Sequence, residues 1–178
     1  MLMKKILASL AASAAIFTSL PAQAGDVLTG DTKLACEAIL CLSTGDRPHE
    51  CAASIKRYFN IRHKKFHKTL EARRNFLNLC PSSNESNMPG LIDVLVNGAG
   101  RCDAAELNRI NRATYTKKIR ETGGRYADRS WITVEVPYIR NAKPSYCSAY
   151  FEHSWTTAGD HVKYVGEEKE GGRWVNVK

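Results

Sequence analysis

After its first two dozen residues the sequence has no apolar run that reaches the ~20 residues a helix needs to cross a bilayer. The mature chain is therefore expected to carry no transmembrane segment. The motifs of the common enzyme classes are missing too. Ser43, Ser54 and Ser130 stand in no G-x-S-x-G elbow. Gly98-Ala99-Gly100 does not extend to G-x-G-x-x-G, no Rossmann strand precedes it, and it reads as a turn. His63 and His67 have the spacing of helical metal ligands, but Lys64 and Lys65 follow His63 where H-E-x-x-H needs a glutamate. Two ammonium groups there oppose a bound cation. The cysteines include no C-x-x-C pair, which argues against a zinc knuckle. There is no internal repeat and no low-complexity segment. These absences leave no cofactor, no metal and no catalytic residue to assign, and the expectation is a protein that is not an enzyme.

What is there begins with an export signal. Lys4 and Lys5 form a positive start, Ile6 to Leu20 is uncharged, and Ala22-Gln23-Ala24 offers small residues to a signal peptidase. Residues 1–24 are read as a signal peptide cleaved before Gly25. All six cysteines follow it. An even count behind a signal peptide reads as three disulfides in an oxidising compartment, the periplasm or the exterior. The remaining chain, 25–178, is long enough for a single domain with its own core.

The central stretch runs from Leu34 to Pro81 and holds Cys36, Cys41, Cys51 and Cys80. Leu34, Ala35, Ala38, Ile39 and Leu42 form an apolar stripe, so a first helix runs from Thr32 or Lys33 to Ser43. Gly45-Asp46-Arg47-Pro48 turns the chain. A second helical pattern begins near Glu50 or Cys51. Its apolar face is Ile55, Phe59, Phe66, Leu70 and Leu77. Unbroken to Leu79 it would be about 43 Å long, and Arg62 and His63 interrupt its face. A break near residues 60–63 is expected. Pro89 opens a short third helix, Gly90 to Val96. Asp103 to Glu106 is a capping-box pattern for a fourth helix, Ala104 to about Ile119, and Gly123-Gly124 ends it.

Beyond residue 130 the pattern changes. Trp131 to Val136 reads as a strand ended by Pro137. Ser145 to His153 carries alternating aromatics, and His161 to Val165 and Arg173 to Val177 are further short strands. The fold class is α+β: a disulfide-pinned helical part over 32–120 and a small antiparallel β-rich part over 130–178.

Six cysteines allow fifteen pairings. Cys36 and Cys41 lie about 140° apart round one helix and face different partners. Cys41 and Cys51 flank the turn and join easily. Cys36 meets Cys80 if the chain folds back at the break. Cys102 then remains for Cys147, which ties the helical part to the β-rich part.

From Lys56 to Arg74 there are eight Lys or Arg and one acid, Glu71. Lys56, Arg57, Lys64, Lys65 and Lys68 are the candidate contacts for an anionic partner: nucleic acid, lipid headgroups, cell-wall polymer or acidic protein. A solvated helix face explains the same charges. Tyr58, Phe59 and Phe66 read as core rather than as a stacking platform. Trp131, Trp155 and Trp174 offer a sugar- or protein-binding surface, but two of them sit in strand-like runs, and packing of the sheet onto the helices is the reading preferred. Glu37 or Glu50 as the acid of a peptidoglycan hydrolase is the alternative of another class, although no second carboxylate is placed beside either.

The run Leu34 to Ser43, then Gly45 and Glu50-Cys51, then Ile55-Lys56-Arg57-Tyr58-Phe59, and finally Asn75-Phe76-Leu77 with Leu79-Cys80-Pro81, resembles the TrbM/KikA/MpfK family of plasmid conjugation proteins. The resemblance is most specific from Cys36 to Cys80 and loose after Gly123. It implies an exported component of mating-pair formation, a type IV secretion system. It implies partners among other conjugation or secretion proteins at the envelope, and it brings no active site.

Overall fold

The computed structural model describes residues 27–120 and 131–177. The expected signal peptide, its cleavage site and Gly123-Gly124 lie outside them. Helix α1 spans Gly30–Ser43 and buries Ala35, Ala38, Ile39 and Leu42 along one stripe. Arg47 closes its C-terminal end by donating from Nη1 to the Cys41 carbonyl at 2.7 Å, which satisfies one of the acceptors a helix end leaves open. A 3-10 turn at His49–Cys51 leads into α2, Ala52–Asn60. The expected break follows, and α3 runs over Phe66–Leu77. Pro81 opens a second 3-10 turn, Pro81–Asn84, before α4 at Met88–Gly98 and α5 at Ala104–Ile110. Strands β1 (Arg112–Arg120) and β2 (Trp131–Ile139) form one antiparallel ribbon, with Arg112 opposite Ile139 and Arg120 opposite Trp131. Helix α6 (Ser145–Phe151) and a turn at Ala158–His161 precede β3 (Val162–Val165) and β4 (Arg173–Asn176), which pair antiparallel.

The disulfides join Cys36 to Cys80, Cys41 to Cys51 and Cys102 to Cys147, with Cα separations of 4.9, 5.7 and 5.5 Å. These are the pairs the helical layout predicts. Leu42, Tyr58, Leu77, Leu95 and Leu107 are fully buried in one core, each contributing ~1.5–3 kcal/mol by burial. Gly98 lets α4 touch α6: a Cβ there would stand 2.4 Å from the Tyr150 ring. The β-rich part is bound to the helices by side chains. Asn108 and Trp174 exchange two 2.8 Å hydrogen bonds, Nδ2 to carbonyl and N–H to Oδ1. Tyr164 donates its hydroxyl to the Ile139 carbonyl at 2.7 Å.

Four expectations are corrected. The fourth helix stops at Ile110, so the helical part gives way to strand at 112 and not at 120. Thr114, Tyr115 and Thr116 favour a strand. Asn111, buried, fixes the switch: its Nδ2 donates to the Ala142 carbonyl at 2.8 Å and its carbonyl accepts from Arg140 N–H at 3.0 Å. Ser145 to Phe151 is a helix, because Cys147 and Tyr150 must both face inward, and residues three apart share a helical face. Pro137 does not end β2; it pairs with Thr114. In a two-stranded ribbon each strand keeps one open edge, where a missing N–H is tolerated. Phe66 is 54% exposed, and the buried residues of α2 are Ser54 and Tyr58, with Ile55 and Phe59 only half-buried.

Tyr58 has no exposed surface, and its hydroxyl meets no hydrogen-bond partner. Burial pushes its pKa up to about 12, against the pull of the Arg73 guanidinium. A folded-state value above the ordinary 10.0 means that stability complete below that pH declines as pH climbs toward 12. Tyr150 is also buried, but its hydroxyl donates to the Leu42 carbonyl. Tyr58→Phe is therefore expected to be neutral or stabilising by up to ~1 kcal/mol at neutral pH and to flatten the alkaline decline. Tyr150→Phe is expected to destabilise by ~1 kcal/mol. Urea melts of the oxidised protein at neutral and alkaline pH measure both.

In the chain-entropy picture the Cys41–Cys51 bond stabilises by about 3 kcal/mol and each longer loop by about 4. Paired Cys36→Ala/Cys80→Ala is expected to lower the urea midpoint more than Cys41→Ala/Cys51→Ala. Non-reducing peptide mapping that linked Cys41 to Cys102 would contradict the pairing.

Candidate functional site

The break between α2 and α3 is a structured knuckle. Residues 61–65 are held from beneath by two side chains of α3 that lie one helical turn apart. Thr69 accepts from His63 N–H at 2.8 Å and donates to the His63 carbonyl at 3.3 Å. Arg73 donates from Nε to the Ile61 carbonyl at 3.3 Å, and its guanidinium lies over the rings of Tyr58 and Phe59 at 4.9 and 5.1 Å. Both are buried. Burial holds the Arg73 guanidinium below its ordinary value, opposed by Tyr58 and aided by Arg62. From Nε, Arg62 donates to the Phe59 carbonyl at 3.1 Å. With the backbone anchored below, Arg62, His63, Lys64 and Lys65 all stand in solvent.

The eight cations of the basic run separate into two groups. Arg57 grips Asp31 of α1 through two hydrogen bonds, 3.0 and 2.6 Å, and lies 5.0 Å over the Phe76 ring. That bond holds the Asp31 carboxyl below the usual carboxylate range. Arg57 is thus a tie between helices, not a free contact. Lys68 pairs with Glu71 at 2.7 Å and lowers its pKa. Arg74 pairs with Asp93 of α4. Among the described residues Lys56, Arg62, Lys64 and Lys65 have no acidic partner within salt-bridge range, and they carry the available charge. Exposed pairs such as Lys68–Glu71 are worth ~0–1 kcal/mol, so Lys68 can exchange its partner.

Beside the knuckle Arg101 lies 3.7 Å over the Tyr146 ring and 5.1 Å over Phe66, and donates to the Asn97 carbonyl at 2.8 Å. This stack brings α3, α4 and α6 to one corner and gives the exposed Phe66 a partner. Neither Arg101 nor the Thr69/Arg73 support is apparent in the sequence reading. The only signal is that Thr69 and Arg73 share a helix face with the break, where a solvated reading has no use for it. The other candidates are spread out. Glu37 is half-exposed and lies 3.6 Å from Lys33, and Glu50 is exposed. Trp174 is buried, as packing requires, but Trp131 and Trp155 are 62% and 46% exposed. Among the described residues no three His, Cys, Asp or Glu gather as a metal site.

The arrangement presents positive charge on an anchored backbone. Arg62→Glu/Lys64→Glu/Lys65→Glu is expected to leave stability within ~0.5 kcal/mol, as surface changes do. Arg73→Ala is expected to lower it by ~2 kcal/mol or more by removing a buried support. Urea melts separate the two.

A family model described as TrbM matches residues 27–178. The chain matches no curated protein and no solved structure.

Proposed function

Because the chain belongs to the TrbM family of conjugal transfer proteins, we propose that it serves plasmid conjugation as an exported, non-enzymatic assembly or binding component of the mating-pair formation apparatus. The observation that carries this reading is the family match, which spans 27–178. Three disulfides support an oxidising compartment, and among the described residues no helix is long and apolar enough to cross a membrane. Together with the signal-peptide pattern of residues 1–24 they favour the periplasm. The knuckle at 61–65, with Lys56 and Lys68 beside it, is the contact for an acidic surface of another secretion-system protein. Its anchored backbone lowers the ordering entropy that such a contact must overcome.

Deletion of the gene from its plasmid is expected to depress conjugation frequency, and the wild-type gene to restore it. The Lys64→Glu/Lys65→Glu variant is expected to be exported and oxidised normally yet to complement poorly. Photo-crosslinking from position 64 in mating cells captures the partner. Unchanged conjugation on deletion would refute the reading. Clearing of cell wall in a zymogram, lost on Glu37→Gln or Glu50→Gln, would replace it with a hydrolase.

A further inference from the structure

The turn after α6 meets the first turn of α4 in an open cleft of about 490 Å³, lined by Asn87, Pro89, Gly90, His153, Ser154 and Trp155. That volume falls within the ~300–1,000 Å³ of small-ligand sites. The close approach of Gly98 to Tyr150 holds α4 and α6 together below it. The wall that follows α6 is fixed by its own hydrogen bonds. The His153 carbonyl accepts from Thr156 N–H at 2.9 Å and from the Thr156 hydroxyl at 3.1 Å, and Trp155 N–H donates to His153 Nδ1 at 3.2 Å. A neutral imidazole that accepts at Nδ1 carries its proton on Nε2, so the other nitrogen of His153 is a donor. Trp155 is 46% exposed and stands T-shaped to that imidazole, ring centres 6.4 Å apart. The opposite wall is Asn87 and the helix backbone. Asn87 precedes α4 at φ 70° and makes no capping bond with its side chain. A Cβ at Gly90 would meet no atom within 4 Å, so this turn leaves the cleft open.

The side chains select the ligand. None of the described residues that line the cleft is Asp, Glu, Lys or Arg, on a chain of formal net charge +8. An anionic ligand therefore finds no guanidinium or ammonium to pair with. Among the described residues the Asn87 amide, the Ser154 hydroxyl and His153 Nε2 have no hydrogen-bond partner. A purely apolar ligand would cover these groups without satisfying them, which costs free energy. A pyranose ring answers both conditions. Its C–H face stacks on an indole by burial and weak C–H contacts, and its hydroxyls donate and accept around the rim. With no carboxylic acid in the lining, nothing there protonates a glycosidic oxygen. The cleft is equipped to hold a sugar and not to cleave it.

We propose that the cleft between α4 and the turn after α6 binds a pyranose unit of an uncharged glycan chain, with Trp155 as the stacking platform and Asn87, His153 and Ser154 on the sugar hydroxyls. The site is separate from the 61–65 knuckle and does not depend on the contact proposed there.

Titration of the oxidised, exported protein with chitohexaose or cellohexaose, followed on the indole N–H resonances by NMR, tests it. The Trp155 signal is expected to shift and saturate while those of Trp131 and Trp174 stay in place, each signal being assigned by its Trp→Phe variant. Trp155→Ala is expected to weaken binding, measured by calorimetry, by about tenfold or more. Asn87→Ala is expected to weaken it by about threefold to tenfold. Gly90→Leu sets a side chain where the protein itself has none. It is expected to abolish binding and to keep the fold, since leucine favours a helix over glycine. Lys64→Glu/Lys65→Glu is expected to bind as wild type, which separates this site from the knuckle. Far-UV circular dichroism and intact disulfides verify folding of each variant. Stronger binding of chitohexaose identifies an acetamido-bearing glycan as the source, and stronger binding of cellohexaose a plain glucan; either supports the site. No shift of the Trp155 signal with either sugar, a shift of Trp131 in its place, or undiminished binding in folded Trp155→Ala or Gly90→Leu would overturn the assignment. A Trp155 shift produced equally by polyglutamate would do the same.

Discussion

The fold-back between α2 and α3 is the constraint on which the helical part depends. A continuous helix there would carry Cys80 far from Cys36. Folding back brings the two within bonding reach, and the disulfide closes a loop that contains α2, the knuckle and α3. The break exists because nothing apolar lines residues 62–65, and it is stabilised because Thr69 and Arg73 replace the helix's own hydrogen bonds. A backbone segment that leaves a helix needs such partners. The same two side chains that make the turn possible also aim its cations outward, so structure and candidate contact arise from one cause.

A second covalent link has the equivalent role for the remainder. Cys102 follows α4 and Cys147 lies in α6. The ribbon leaves the body between them, and its departure and return are fixed by Asn111, whose side chain and carbonyl reach Ala142 and Arg140. A two-stranded ribbon is marginal by itself in water. The body below supplies what it lacks at the base, through Tyr164, Trp174 and Lys169. The far end receives no such support from the described helices and keeps its apolar side chains in solvent. Support from the body is thus concentrated at one end of the ribbon.

The readable features in the sequence were those set by local chemistry. Helix α1, the break, the proline at the start of α4 and the Asp103 cap each have residues within one turn that determine them; Asp103 Oδ1 does accept from Glu106 N–H at 2.8 Å. The three cysteine pairs followed from those elements. What could not be read was set by tertiary contacts. Residues 112–120 contain Lys117, Lys118 and Arg120 and suit a helix surface as well as a strand; pairing with 131–139 decides. Ser145 to Phe151 alternates its aromatics like a strand, and burial of Cys147 decides for helix. Among the site residues, Lys64 and Lys65 could be named from charge alone. Arg57 could not be recognised as a structural tie, because Asp31 lies 26 residues away, and charge runs say nothing of such partners.

This last point governs how positive charge should be interpreted on the molecule. A formal net charge of +8 describes solubility and long-range attraction, but it does not locate a contact. Arg57 and Arg74 connect helices, Arg73 supports a turn, and Arg101 fastens a corner by stacking on two rings. Arginine suits these roles, since its planar group stacks and donates at once. The cations without partners at the knuckle are mainly lysines, whose flexible ammonium groups suit a surface that must adapt. At the ribbon's end Arg120 likewise stacks on Trp131. In the helical part the arginines Arg57, Arg73, Arg74 and Arg101 hold elements together, whereas Lys56, Lys64 and Lys65 make no ion pair among the described residues, so acetylating those lysines is expected to leave the fold in place.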